Sequence, residues 1–352
     1  MRYAATSCRA SLSSVGASAP LGALLLAALL VPQALAADCA ICHVEQSKKF
    51  DETSMKRALA TAQASPILQS NPLLKYELGP YRYTIVRDDN TTTYRVTDGK
   101  SEISTPVLWA FGMGKAGQTY VFQYKGAFFE SRVSYFEKTK ALDLTIGAPP
   151  GIPKNLEEAA GHKLTNHDVK GCFGCHTVPD LYSVAQITEG SIHPGLRCES
   201  CHKPPAQHAT NPGAAKPASF SKLSTEEISD LCGRCHRTWA DIAAKGPQGV
   251  ANVRFQPYRL TNSKCYDAAD RRIACVACHD PHGRDEQIQQ RSDAACRSCH
   301  GTQAGAKTAR VCKTGTENCA SCHMPRFEIE NSHHGFPDHM IRIARTHDSY
   351  PN

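Results

Sequence analysis

The apolar and polar positions of this chain divide it into three unlike stretches. Near the start, Leu21 to Val31 reads LGALLLAALLV, an unbroken apolar run preceded by Arg2 and Arg9 and followed by Ala34-Leu35-Ala36. A positive end, a short apolar middle and small residues at the cleavage position predict a signal peptide over residues 1–36. The run is too short for a comfortable bilayer span, so an exported, periplasmic chain without a stable membrane span is expected. Between residues 75 and 150 aromatic and β-branched runs alternate with turn signals. Tyr81-Arg82-Tyr83-Thr84-Ile85-Val86 is rich in aromatic and β-branched residues, Asp88-Asp89-Asn90 turns, and Thr91 to Val96 resumes the strand character. Asp98-Gly99 and Lys125-Gly126 are further turn signals, the latter between Gln118–Tyr124 and Phe128–Phe136. A small antiparallel β insertion is expected here, closed by the stiff segment Pro149-Pro150-Gly151-Ile152-Pro153, with scaffolding or partner docking as its role.

From residue 151 onward the pattern breaks into short helical pieces. Ser224-Thr-Glu-Glu227 is a capping box. The helix it opens places Ile228, Leu231, Cys232 and Cys235 on one face. Ser292-Asp293 is read as a similar cap before Cys296, and residues 203–219, rich in Pro, Ala and Asn, as loop.

Composition changes this picture through cysteine. The 352 residues hold 17 Cys and 16 His. Fourteen of the cysteines fall into seven Cys-x-x-Cys-His runs: Cys39/Cys42/His43, Cys172/Cys175/His176, Cys198/Cys201/His202, Cys232/Cys235/His236, Cys275/Cys278/His279, Cys296/Cys299/His300 and Cys319/Cys322/His323. Multiplying residue frequencies gives roughly 0.04 such runs by chance. The run is the covalent attachment site of c-type haem: two thiols add to the porphyrin vinyl groups and the adjacent His becomes the proximal iron ligand. A zinc site has no need of a His after every second Cys. A disulfide scaffold has no need of the fixed two-residue gap. Seven covalent haems c are expected, with one motif alone at the start and six crowded into residues 172–323. Cys265 and Cys312 are left over outside the signal stretch, and in an oxidising compartment they are expected to join.

The implied fold class is mostly irregular and α, short helices and loops around stacked haems, with the small β insertion. The segments are residues 1–36 (signal), 37–74 (haem 1), 75–150 (β) and 151–352 (six-haem cytochrome region). The net charge of +7 includes Arg2 and Arg9, which leave with the signal. Haem propionates offset the remainder, and no run of five or six basic residues exists, so nucleic acid is not an expected partner.

Each iron needs a second axial ligand if it is to be closed. Nine histidines lie outside the motifs. His282 stands three residues past His279 and cannot easily bend back to the same iron, so it is expected to reach a neighbouring haem. His208, after His202, follows the same logic. His167 and His193 precede motifs 2 and 3. His339 follows Asp338, and His333 and His334 compete for one position. His162 and His347 are weaker candidates. No spare His lies between His43 and His162, so haem 1 has Met55, a distant His or an open site. Thioether ligation by Met55 would raise the potential.

The runs around Cys198-Glu-Ser-Cys-His202 with Pro204 and His208, Cys275-Val-Ala-Cys-His-Asp-Pro-His282, and Cys319-Ala-Ser-Cys-His-Met-Pro325 with His334 and Asp338-His339-Met-Ile resemble the bacterial multihaem cytochrome c superfamily. That group includes tetrahaem acceptors of hydroxylamine oxidoreductase and octahaem reductases of nitrogen and sulfur compounds. The resemblance covers residues 165–345. It implies mostly bis-His haems stacked in parallel and perpendicular pairs, with distal roles for His208, His282 and His339. Reductases of the group carry an altered motif or an open haem, whereas all seven motifs here end in His. An electron carrier serving other redox proteins is therefore expected rather than an enzyme. The alternative is a reductase of nitrite, hydroxylamine or a sulfur oxyanion at one open haem.

Overall fold

The computed structural model describes residues 39–89, 91–177, 189–203, 206–217, 219–283, 285–301, 312–345 and 348–351. The expected signal stretch, Pro204 and His347 lie outside the described residues.

Among the described residues, nine strands form one antiparallel sheet. These are β1 (Leu59–Thr61), β2 (Leu73–Leu78), β3 (Tyr81–Arg87), β4 (Thr92–Thr97), β5 (Glu102–Gly114), β6 (Gly117–Tyr124), β7 (Ala127–Phe136), β8 (Ala141–Leu144) and β9 (Gly161–Lys163). The path runs β2 to β8 in chain order, with β1 paired to β5 and β9 to β7. The end strands β2 and β8 lie against each other, so the sheet curls nearly into a barrel. Period two explains the inside. Tyr81, Tyr83 and Ile85 of β3 are buried and alternate with exposed or half-buried neighbours, and Tyr94 and Val96 of β4 face them across the register Ile85–Tyr94 and Tyr83–Val96. The turn at Lys125-Gly126 has positive φ at both residues (48° and 74°), the twist that a two-residue hairpin demands.

The expected fold class, mostly irregular and helical with a small β insertion, is thus corrected: the sheet is a large structural unit. Its longest strand, β5, was hidden because Pro106, Gly112 and Gly114 interrupt the strand signal. β1 and β9 are three residues each and carry no period of their own.

The helices are short. They are α1 (Val44–Phe50), α2 (Pro66–Ser70), α3 (Leu156–Ala160), α4 (Asn166–His176), α5 (Cys198–Cys201), α6 (Thr225–His236), α7 (Trp239–Lys245), α8 (Gln256–Thr261), α9 (Cys275–Cys278), α10 (Ile288–His300) and α11 (Cys319–His323). A last hairpin, β10 (Arg326–Glu328) with β11 (Gly335–Pro337), follows. Local chemistry starts the longer ones. Thr165 with Asp168, Ser224 with Glu227, and Thr238 with Asp241 form capping boxes for α4, α6 and α7. The main apolar core lies inside the sheet. A second cluster, with Trp109, Val169 and Phe173, joins the sheet to α4.

Candidate haem attachment sites

Motifs 2, 4 and 6 end the capped or longer helices α4, α6 and α10, while motifs 3, 5 and 7 sit on the single turns α5, α9 and α11. Motif 1 begins on a 3-10 turn, Cys39–Ile41, and His43 precedes α1. Motif 2 is fastened to the sheet. Phe173, between Cys172 and Cys175, is fully buried, with Trp109 and Phe111 of β5 edge-on at 5.0 and 4.9 Å. His176 lies 5.1 Å from Phe111, and its Nδ1–H donates to the Ala58 carbonyl at 3.0 Å.

Residues of all seven motifs line one connected space of about 2300 Å3. The predicted face of α6 is there, with Ile228, Leu231, Cys232 and Cys235 all bordering it. Three histidines from outside the motifs border it too, and each faces a motif histidine. His208 faces His43 with ring centroids 6.3 Å apart and planes at 12°. His282 faces His202 at 5.8 Å and 9°. His339 faces His279 at 6.1 Å and 18°. Two metal–imidazole bonds of about 2.0 to 2.1 Å each, with the ring radii added, place two ligands of one ion about 6 Å apart between centroids. The three pairs have that spacing, so these residues fit the opposite faces of a haem iron.

The nitrogens are also arranged for it. A carbonyl oxygen only accepts, so each imidazole that meets one carries its proton on Nδ1 and leaves Nε2 with a lone pair. His208 donates to Ala215 O at 2.7 Å, His339 to Pro337 O at 3.0 Å, and His323 to Arg342 O at 2.9 Å. Such outer partners fix ring and tautomer. Burial holds His339 neutral, pushing it down to about 4. Burial likewise lowers His176, His202 and His236.

Thiols of different motifs meet one another: Cys39 with Cys198, Cys175 with Cys235, Cys232 with Cys275, and Cys296 with Cys319. The hydrogen bond from Cys235 lowers Cys175 to about 7, and that from Cys232 lowers Cys275 to about 7. The attachment points therefore form a contiguous array rather than separate sites.

Other sequence candidates are placed differently. His167 is exposed in the first turn of α4, and His193 is exposed after the 3-10 turn Glu189–Ser191. His162, also exposed, stands on β9. None of the three borders the shared space. His334 is half-buried, edge-on to Phe336 at 4.8 Å, and His333 Nε2 meets Asp143 Oδ2 at 2.7 Å. Met55 borders the space, half-buried, although a distant imidazole, His208, faces His43. Cys265 and Cys312 are free thiols, contrary to the expected disulfide. Each has its own local surroundings: Cys265 lies near Cys299, and the Cys312 sulfur accepts from the backbone of Thr314 and Gly315, which lowers it. The sequence reading also missed the role of Asp293. It does not cap its own helix start, because α10 begins at Ile288. Its carboxylate accepts from Asn318 N and Cys319 N at 2.9 Å each and so caps α11, the helix of motif 7.

Residues 268–305 match the model of a family described as doubled CXXCH motif, a span that holds motifs 5 and 6 complete up to His300. The match supports covalently bound haem c at more than one site, the chemistry of multihaem c-type cytochromes in electron transfer. No curated protein matches the chain. Among solved structures, the undecaheme cytochrome from the S-layer of Carboxydothermus ferrireducens is similar at 16% identity and a TM-score of 0.42, over 87% of this chain and 51% of that one. The chain spans about half the length of that cytochrome. Among the described residues no helix is long and apolar enough to cross a membrane.

Proposed function

We propose that this chain is an exported, periplasmic heptahaem c-type cytochrome that carries electrons between redox partner proteins. The observation that supports it best is the set of three opposed imidazole pairs, each joining a motif to a histidine from elsewhere in the chain. Haem bound at the motifs supplies one-electron chemistry. The chain's residues do the rest. The paired thiols would hold the group, at three sites the motif histidine and the imidazole facing it would close both axial positions, and backbone carbonyls would leave Nε2 free for the metal. A closed position leaves no room for a substrate oxyanion. In this reading His43 pairs with His208, His202 with His282 and His279 with His339. Cys39, Cys42 and the twelve other motif cysteines would each bond a vinyl-derived carbon of a haem.

Pyridine haemochrome analysis together with the denatured mass tests the reading, and seven attached haems are expected. Fewer than six would overturn the count. Electron paramagnetic resonance of the oxidised protein is expected to show low-spin ferric signals, with His282→Ala converting one of them to high spin. A strong high-spin signal in the unaltered protein that responds to nitrite or cyanide would replace the carrier by a reductase.

A further inference from the structure

A buried ion cluster stands behind two of the sites. Arg259 of α8 and Asp338, after β11, are both fully buried and meet in a bidentate pair, Nε–Oδ1 2.8 Å and Nη2–Oδ2 3.0 Å. Arg342 adds a third limb, Nη1–Oδ2 2.6 Å. Met340 N donates to Asp338 Oδ1 at 3.1 Å. The Arg259 guanidinium lies over the Tyr350 ring at 4.6 Å, and its Nη2 also reaches Met340 Sδ at 3.3 Å. Ser263 fastens the same loop: its Oγ–H donates to His339 O at 2.8 Å and its Oγ accepts from Ile341 N at 2.8 Å.

Two histidines of different sites hang on this cluster. His339, next to Asp338, faces His279 of motif 5. On the other side, the Arg342 carbonyl accepts from His323 Nδ1 at 2.9 Å, and Arg342 N donates to His323 O at 3.2 Å. His323 is the motif histidine of site 7. The loop 338–342 is thus one rigid piece with an imidazole of site 5 at one end and the support of an imidazole of site 7 at the other. Fully buried charges are costly unless matched, and a matched buried pair fixes one arrangement of its surroundings. Nothing in haem attachment itself requires a charged cluster here.

We infer that Asp338, clamped by Arg259 and Arg342, is a shared positioning residue that sets the axial ligand geometry of sites 5 and 7 together. This rests on the proposed haem ligation. The cluster orients two ligands from one anchor, so a change at Asp338 moves both sites, whereas an ordinary outer residue serves one.

The test is Asp338→Asn in the holoprotein, an isosteric change that removes the anion between the two guanidinium groups. The denatured mass comes first. Seven haems retained means that attachment is intact, and a lower mass in the unaltered protein speaks against the seven-haem reading instead. At full haem content, two of the ferric signals are expected to shift, and two of the steps in a spectroelectrochemical titration are expected to move with them. In a background lacking site 7 (Cys319→Ala with Cys322→Ala), only one signal is expected to respond. Should Asp338→Asn fail to fold, Arg342→Gln removes a single limb at the partly exposed rim, and Ser263→Ala removes only the loop tie. Each is expected to perturb the same two signals more weakly. Signals unmoved at full haem content, or one signal moving in all three variants, would overturn the inference.

Discussion

A histidine offers a metal one nitrogen and the protein the other, and in this chain the second nitrogen is held by backbone. His176, His208, His323 and His339 each give Nδ1–H to a carbonyl. The sequence could point to the candidates but not to these acceptors, because Ala58, Ala215, Arg342 and Pro337 contribute through main-chain atoms that any residue carries. The offset of His282 after His279 was informative for a steric reason: three residues cannot reach around a porphyrin, and the ring does face His202 instead. His167 and His193, picked for closeness to a motif, are exposed, since proximity along the chain says nothing about direction. One residue carries a pH prediction. Glu130 of β7 pairs across the sheet with His162 of β9. Burial raises its carboxyl above the ordinary 4.5, Asp168 adds to this, and His162 and Arg254 offset it in part. The folded state then holds the proton more tightly than the unfolded one. Stability is fully present below the ordinary value and falls as pH rises through the raised one. Glu130→Gln is therefore expected to raise the denaturation midpoint at pH 7 and to leave it unchanged at pH 4, as read from urea unfolding at the two pH values.

Elements were legible where the local code is strong. The capping box at Ser224 and Glu227 opens α6, with Glu227 Oε2 accepting from Ser224 N at 2.7 Å, and the face toward the shared space contains the four residues that helical spacing selects. The hairpin signals at Asp98-Gly99 and Lys125-Gly126 likewise mark real turns; Asp98 Oδ1 accepts from Lys100 N and Ser101 N at 2.8 and 2.7 Å. What stayed hidden was tertiary in origin. β1 and β9 are strands only because β5 and β7 offer them an edge, and β5 accommodates Pro106 where its pairing with β4 ends, just before its pairing with β6 begins at Val107. Asp293 looked like a cap for the helix that carries it. Instead it caps α11 from 25 residues away, a distance over which no spacing rule operates. Removing it by Asp293→Ala leaves the first amides of α11 without an acceptor. The expected cost is about 1 kcal/mol, typical for the loss of a helix cap. It should appear as a lower urea midpoint together with partial loss of one haem in the denatured mass.

At the scale of the whole molecule, the sheet and the motif-bearing half are built on different physics. The sheet encloses side chains: Tyr83, Tyr94, Tyr120 and Phe122 are fully buried inside it. The other half surrounds the shared space of about 2300 Å3, and among the described residues its apolar side chains alone make the small cluster of Val253, Ile329 and Phe336. Expressed without haem attachment, the chain is expected to keep its strand signal in far-UV circular dichroism and lose most of its helical signal. Limited proteolysis should then leave a fragment containing β1 to β9, residues 59–163, identified by mass. Helical content unchanged without haem would show that the second half holds itself up. The meeting of thiols from different motifs has a last consequence, and it concerns time rather than place. In an oxidising compartment Cys175 and Cys235, or Cys232 and Cys275, are ready partners for one another once the chain is compact. A molecule that collapsed early would seal its own sockets with crosslinks. Its biogenesis is therefore expected to run in one order, with each socket filled while the polypeptide is still open and the final compaction coming only after the seventh.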